Sequence, residues 1–123
     1  MFRILVVDDL RDSADTLALL LNQHGYGTEV AYSGAEAILT AFSYRPHLAI
    51  LDIRMGDLDG VQAASMLRSQ YSDVRLVAVT AVPLQDWRER LTNAGFEAVL
   101  QKPVDLDNLL QTMQDLLHPG RTL

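Results

Sequence analysis

Three acidic positions, a threonine and a lysine stand at the ends of apolar runs in this chain, and their types suit chemistry on a phosphoryl group. Ile4-Leu5-Val6-Val7 ends at Asp8-Asp9, and Leu48-Ala49-Ile50-Leu51 ends at Asp52. The run from Arg75 to Val79 ends at Thr80, and Ala98-Val99-Leu100 ends near Lys102-Pro103. Carboxylates gathered in one cleft repel each other, so a cation belongs among them. Oxygen ligands without His or Cys suit Mg²⁺, with Mn²⁺ as the alternative. Lys102 adds a positive charge and Thr80 a hydroxyl donor. A carboxylate nucleophile, charge neutralisation and oxygen donors together describe a phosphoryl-transfer site. Each residue alone has an ordinary use: Asp in a turn or helix cap, Thr at a strand end, Lys as a solvated charge. The conjunction carries the reading.

The elements that must position these residues follow from periodicity. The apolar runs 4–7, 48–51, 75–79 and 98–100 read as buried strands, and Gly27 to Ala31 as a weaker, short one. Between them, Ala14, Leu17, Ala18 and Leu21 recur at helical spacing, with Asp12 as the expected N-cap and Gly25 as the stop. Ser33 and Glu36 have capping-box spacing and open a helix to about Tyr44, ended by Pro46; Asp59 and Gln62 form a similar pair before a helix to about Gln70. Leu84 to Ala94 reads as a helix stopped by Gly95, and Asp105 caps a last helix with a wide apolar stripe from Leu106 to Leu117. Five alternating strand–helix units with strands apolar on both faces predict a parallel α/β sheet covered on both sides. Ligands in such sheets bind beyond the carboxyl ends of the strands, where all of these polar residues stand. The pattern by itself leaves strand order open.

The 123 residues predict one domain with a real core, and residues from about 118 to 123 read as a tail or the start of a linker. With 49% hydrophobic and 21% charged residues, the composition is ordinary for a globular protein and indicates neither disorder nor low complexity. A net charge of −6 without a basic run argues against binding nucleic acid or an anionic membrane directly. The absence of cysteine excludes disulfides and thiolate metal sites. The N-terminus, MFRILVVDD, is neither a signal peptide nor a membrane span, and the expected location is cytoplasmic.

Taken together, LVVDD at 5–9, LDIRMGDLDG at 51–60, VTA at 79–81, AG at 94–95 and KP at 102–103 resemble the receiver domain of two-component response regulators, across nearly the whole chain. The resemblance implies a flavodoxin-like, doubly wound (βα)5 fold with strand order 2-1-3-4-5, which would bring Asp8, Asp9 and Asp52 together. It implies that Asp52 accepts a phosphoryl group from a phosphohistidine on a histidine kinase or histidine phosphotransfer protein. Asp9, Asp52 and the backbone carbonyl of Arg54 would bind Mg²⁺ directly, and Asp8 through water. Thr80 and Lys102 would hold the phosphoryl oxygens, and Pro103 would follow Lys102 across a cis peptide. The domain would catalyse its own phosphorylation and slow dephosphorylation, acting mainly as a switch on a downstream protein or a fused kinase or output domain.

Two positions depart from the family pattern. Gly56 stands where a proline is usual, four residues after Asp52, which leaves that loop less restrained. Val99 stands where a Tyr or Phe is usual, three residues before Lys102, and a short β-branched side chain cannot swing inward as an aromatic does. Trp87 shares a helical face with Leu84 and Leu91; it is expected either to pack in the core or, partly exposed, to anchor a partner on the switch face with Thr80, Val99 and Pro103. His24, His47 and His118 have no ligand spacing and read as surface or helix-end residues. Two other functions are weighed against the receiver. A receiver-like adaptor that no longer switches would not need the full set at 8, 9, 52, 80 and 102. An aspartyl phosphohydrolase would carry its nucleophile after the first strand as D-x-D, with a cap for which this chain has no room.

Overall fold

The computed structural model describes residues 1–55 and 59–119. Five strands, β1 (Arg3–Val7), β2 (Gly27–Ala31), β3 (Leu48–Asp52), β4 (Arg75–Thr80) and β5 (Ala98–Gln101), alternate with five helices. The helices are α1 (Arg11–Gln23), α2 (Gly34–Tyr44), α3 (Gly60–Gln70), α4 (Leu84–Asn93) and α5 (Leu106–Leu117). All strands are parallel, in the order β2-β1-β3-β4-β5, which is the flavodoxin-like order expected.

The alternation of side chains along each strand builds two core layers. Ile4, Val6, Ile50, Val77 and Val79 face α1 and α5, where they meet Ala14, Leu21, Leu109 and Met113. Leu5, Val7, Leu51, Leu76 and Ala78 face α2, α3 and α4, where they meet Ala37, Ala41, Ala63, Ala64, Leu67 and Leu91. β3 is buried at every position, because it has strands on both sides and helices on both faces. The chain goes from β1 outward to β2 and then crosses to β3 on the other side. The switch point therefore lies between β1 and β3, and the pairing of Val7 with Leu51 brings Asp8 alongside Asp52.

Most of the expected caps are present. Ser33 accepts the Glu36 N–H at 3.0 Å, Asp59 and Gln62 form a complete capping box, and Asp105 accepts the Asp107 N–H at 3.0 Å. Gly25 and Gly95 take positive φ (92° and 101°) just past α1 and α4. One cap is corrected. Asp12 lies inside the first turn of α1, and Leu10 holds the N-cap position with no side-chain cap bond. The carboxylate that would otherwise cap is Asp8, whose Oδ1 accepts the Leu10 N–H at 3.0 Å, so the helix starts directly from the strand end. Asp12 still suits the positive end of the helix dipole. The end of α2 was only half legible: before Pro46, Arg45 closes the helix in the left-handed region (φ 53°). The expectation about Gly56 falls outside the described residues. Among the described residues, no helix is long and apolar enough to cross a membrane.

Candidate functional site

Asp52 is the last residue of β3, and its carboxylate opens at the carboxyl end of the sheet beside Asp8 and Asp9. One oxygen from each of these three side chains lies within 4.8 Å of the others. Asp8 and Asp52 are buried and Asp9 is exposed, so two of the three charges have lost most of their water. Lys102 reaches in from the end of β5, with its Nζ 3.2 Å from Asp52 Oδ2 and 3.5 Å from Asp8 Oδ2. The Lys102 N–H donates to the Thr80 carbonyl at 2.9 Å, which ties the ends of β4 and β5 together. The Lys102–Pro103 peptide is cis, as the resemblance implied.

Charge in this cleft is unbalanced. Three carboxylates face one ammonium, which leaves two negative charges (3 − 1 = 2) uncompensated at short range. Burial raises the Asp52 pKa, the Asp8 charge adds to that, and Lys102 only partly opposes them. For Lys102, burial alone would lower the pKa, but the Asp52 and Asp8 carboxylates together outweigh it and the ammonium form is favoured. An all-oxygen donor set with this excess of negative charge fits a hard divalent cation of the size of Mg²⁺.

Thr80 is fully buried at the end of β4, and its Oγ1 accepts the Val82 N–H at 3.0 Å. That bond uses one lone pair of the hydroxyl, so the group Thr80 can still offer as a donor is its hydroxyl hydrogen. The Arg54 N–H lies 3.3 Å from Asp52 Oδ1 and fixes the carboxylate from the loop side.

Gly60 sets the start of α3 against the end of β3, and in the sequence it stands only as the last residue of the motif at 51–60. Its N–H donates to the Ile53 carbonyl at 2.9 Å. A Cβ built on it would collide with the Asp52 carbonyl oxygen and stand 2.8 Å from Ile53 Cα. Only a residue without a side chain lets α3 begin this close to the backbone of the acidic residue. The signal in the sequence was the Asp59-Gly60 pair at the start of the helix.

A second feature was not read from the sequence. A groove of about 780 Å³ runs from Asp8 and Lys102 between α1 and the segment after β5, walled by Leu10, Leu17, Leu20 and Val104. Leu10 is 61% exposed immediately beside the acids and forms part of the apolar wall of this groove.

The other residues singled out from sequence do not enter the carboxylate cluster. Trp87 and Val99 are half-buried against the core layer that faces α2, α3 and α4, and the Arg90 guanidinium lies 4.1 Å above the Trp87 ring. His24 sits at the end of α1, where its Nδ1 lies 2.9 Å from the Leu20 carbonyl oxygen. His47 Nδ1 accepts the Arg3 N–H at 2.9 Å, and the rings of His47 and His118 meet Phe2 edge-on.

Comparison with known proteins agrees with this geometry. Residues 4–114 match the response regulator receiver domain family. The response regulator MprA of Mycobacterium avium is 38% identical over 116 residues, covering 94% of this chain and 51% of that protein. The chain thus spans about half the length of the curated relatives it matches. Among solved structures, a CheY-like receiver domain protein from Methanospirillum hungatei superposes with a TM-score of 0.91 at 26% identity, covering 95% of this chain and 94% of that one. The response regulator TrrA from Thermotoga maritima, solved in complex with Mg(2+)-BeF, gives 0.85 at 31% identity, covering 94% and 99%. With the strand order, the acidic cluster and the matched span in agreement, the chain belongs to the response regulator receiver domain family.

Proposed function

We propose that Asp52 is the phosphoacceptor, taking a phosphoryl group from a phosphohistidine on a histidine kinase or histidine phosphotransfer protein. The observation that carries this reading is the convergence of Asp8, Asp9, Asp52, Thr80 and Lys102 at one sheet end. A carboxylate oxygen of Asp52 attacks phosphorus; the P–O bond forms as the P–N bond to the donor imidazole breaks, and its electron pair leaves on the ring nitrogen. Lys102, already placed between Asp52 and Asp8, neutralises the incoming oxygens, and the Thr80 hydroxyl donates to another. Asp8, Asp9, Asp52 and the Arg54 carbonyl would hold Mg²⁺, which when bound supplies charge neutralisation and orients the phosphoryl group. The groove beside Leu10 and Val104 offers the donor protein an apolar seat that ends at the acceptor. Response occurs on the Thr80, Trp87, Val99 and Pro103 side, and the small Val99 keeps the rearrangement there modest. The domain works in the cytoplasm as a switch for an output or kinase domain; the curated relatives are response regulators about twice its length.

Incubation with a small phosphodonor and Mg²⁺, followed by intact mass, tests the acceptor chemistry. One phosphoryl addition that disappears with chelator is the expected result, and unmodified protein with Mg²⁺ present would refute it.

The metal reading has its own check. A ligand that binds only the folded state raises stability by mass action, ~2.7 kcal/mol at a hundredfold excess over Kd. Millimolar Mg²⁺ should raise the melting temperature of the wild type and do so much less for Asp9→Asn. Equal shifts would remove Asp9 from the metal site.

A further inference from the structure

α2 wears its apolar surface on the wrong side. It buries only Gly34, Ala37 and Ala41, yet leaves Leu39 75% and Phe42 68% exposed. Met66 of α3, 41% exposed, extends the same face. On α3, residues 66 and 68 point about 200° apart, and Arg68 reaches Gly95 and Glu97 on the α4 side, which turns Met66 toward α2. The Arg45 guanidinium lies 5.7 Å from the Phe42 ring centroid and 5.1 Å from that of Tyr71, so the two helix ends are contiguous.

The charge distribution argues for what covers this face. The chain carries sixteen acids and a net charge of −6, but no charged side chain occurs in α2 from Ala37 to Tyr44 or in α3 from Gly60 to Leu67. Two copies of an acidic protein can meet here without opposing like charges. The apolar pair is also placed for it. Leu39 and Phe42 lie three residues apart, and the midpoint between them is the centre of the uncharged stretch from Ala37 to Tyr44. When two α2 helices pair antiparallel about that midpoint, Leu39 of one copy stands at the level of Phe42 of the other. Parallel pairing would set Phe42 at the level of Phe42 instead.

We propose that the α2–α3 face is a self-association surface, on which two copies of this chain pair α2 against α2 antiparallel about a two-fold axis between Leu39 and Phe42. A two-fold contact of this kind is self-complementary by construction. An exposed aromatic offers ~150 Å² and the whole patch roughly 300–400 Å² per copy. Two copies then bury roughly 600–800 Å², less than the ~1,200 Å² of a stable interface, so the dimer is weak and reversible. The face lies on the helices rather than at the strand ends, so pairing is independent of whether Asp52 accepts a phosphoryl group.

Sedimentation equilibrium over a concentration series reads the association directly. The weight-average mass should climb from one chain toward two between ~10 µM and ~1 mM, equally in wild type and Asp52→Asn, and stay at one chain throughout in Phe42→Glu. Trp87→Ala, on the opposite side of α3, should associate as the wild type does. Because the chain has no cysteine, register is testable as well: Leu39→Cys mixed with Phe42→Cys should form more disulfide-linked pairs than either variant alone. A wild type that stays monomeric at ~1 mM, or a dimer that survives Phe42→Glu, overturns the proposal and leaves the face to another occupant. More like-with-like than mixed disulfide overturns the antiparallel register.

Discussion

Asp52→Asn should take up no phosphoryl group and, without metal, should melt higher than the wild type. The first effect is the loss of the nucleophile: an amide oxygen in the same place cannot form the acyl phosphate. The second follows from the cost of the charge. Burial and the neighbouring Asp8 raise the Asp52 pKa in the folded protein, so folding disfavours the charged form. The sign of the pH dependence is then fixed. Between the unfolded carboxylate pKa and the raised folded one, the native state binds more protons, and wild-type stability falls as pH rises through that window. Above it the penalty is fully present; below the unfolded value it vanishes. Asparagine removes this penalty while its oxygen can still face Lys102, which keeps Asp8 as an ion partner. Melting curves in chelator should show the variant a few degrees above the wild type near neutral pH, with the difference shrinking in acid. Mg²⁺ should reverse the order, because only the wild type keeps the full ligand set. A variant that melts below the wild type in chelator at pH 7 would show that Asp52 stabilises the fold, against the direction of its pKa.

The second large effect is expected at Gly60→Ala. Its Cβ meets the Asp52 carbonyl oxygen and the Ile53 Cα, both of them backbone, so no side-chain rotation relieves the collision. Forcing extra volume into such a site costs ~1–3 kcal/mol. At roughly 4 °C per kcal/mol for a domain of this size, the melting temperature should fall by about 4–12 °C. Relief must come either from shifting the start of α3 or from moving the end of β3 with Asp52 on it. Phosphoryl labelling should therefore fall together with stability, when measured well below the melting transition. Alanine accepted with neither change would mean that the α3 start moves freely and does not set the position of Asp52.

These two residues also show what could be read from the sequence. Asp52 was legible because a fully buried central strand is an unbroken apolar run, and its first polar residue is where the sheet meets solvent. Asp8-Asp9 and Thr80 were found by the same rule, whereas the fifth run meets Gln101 first and Lys102 one residue later. Strand order was not in the periodicity; it came from the family motifs, because every strand looks alike from its own pattern. Gly60 shows in the sequence only as the last residue of the 51–60 motif, because its close approach to the Asp52 backbone leaves no periodic trace. Asp12 was misread as a cap because its type fits, whereas the Leu10 N–H was already satisfied by Asp8 from the preceding strand end. Arg45 was missed because a left-handed arginine breaks the local preference; its neighbours supply the compensation, as Arg3 Nε donates to the Arg45 carbonyl at 2.9 Å. The groove at Leu10 is assembled from α1 and the segment after β5, and no single window of sequence contains it.

Lys102 is the sole lysine among 123 residues, all nine other basic side chains being arginine. On a polypeptide of these 123 residues, amine-selective reagents find two targets, the chain terminus and the ammonium that lies between Asp8 and Asp52. Acylation needs the neutral amine, and the flanking carboxylates suppress that form. Covalent labelling at one site thus becomes a readout of the cleft. The rate at Lys102 should rise when Asp52 is made neutral and fall when a phosphoryl group claims the ammonium, with the terminus as the internal clock in the same spectrum.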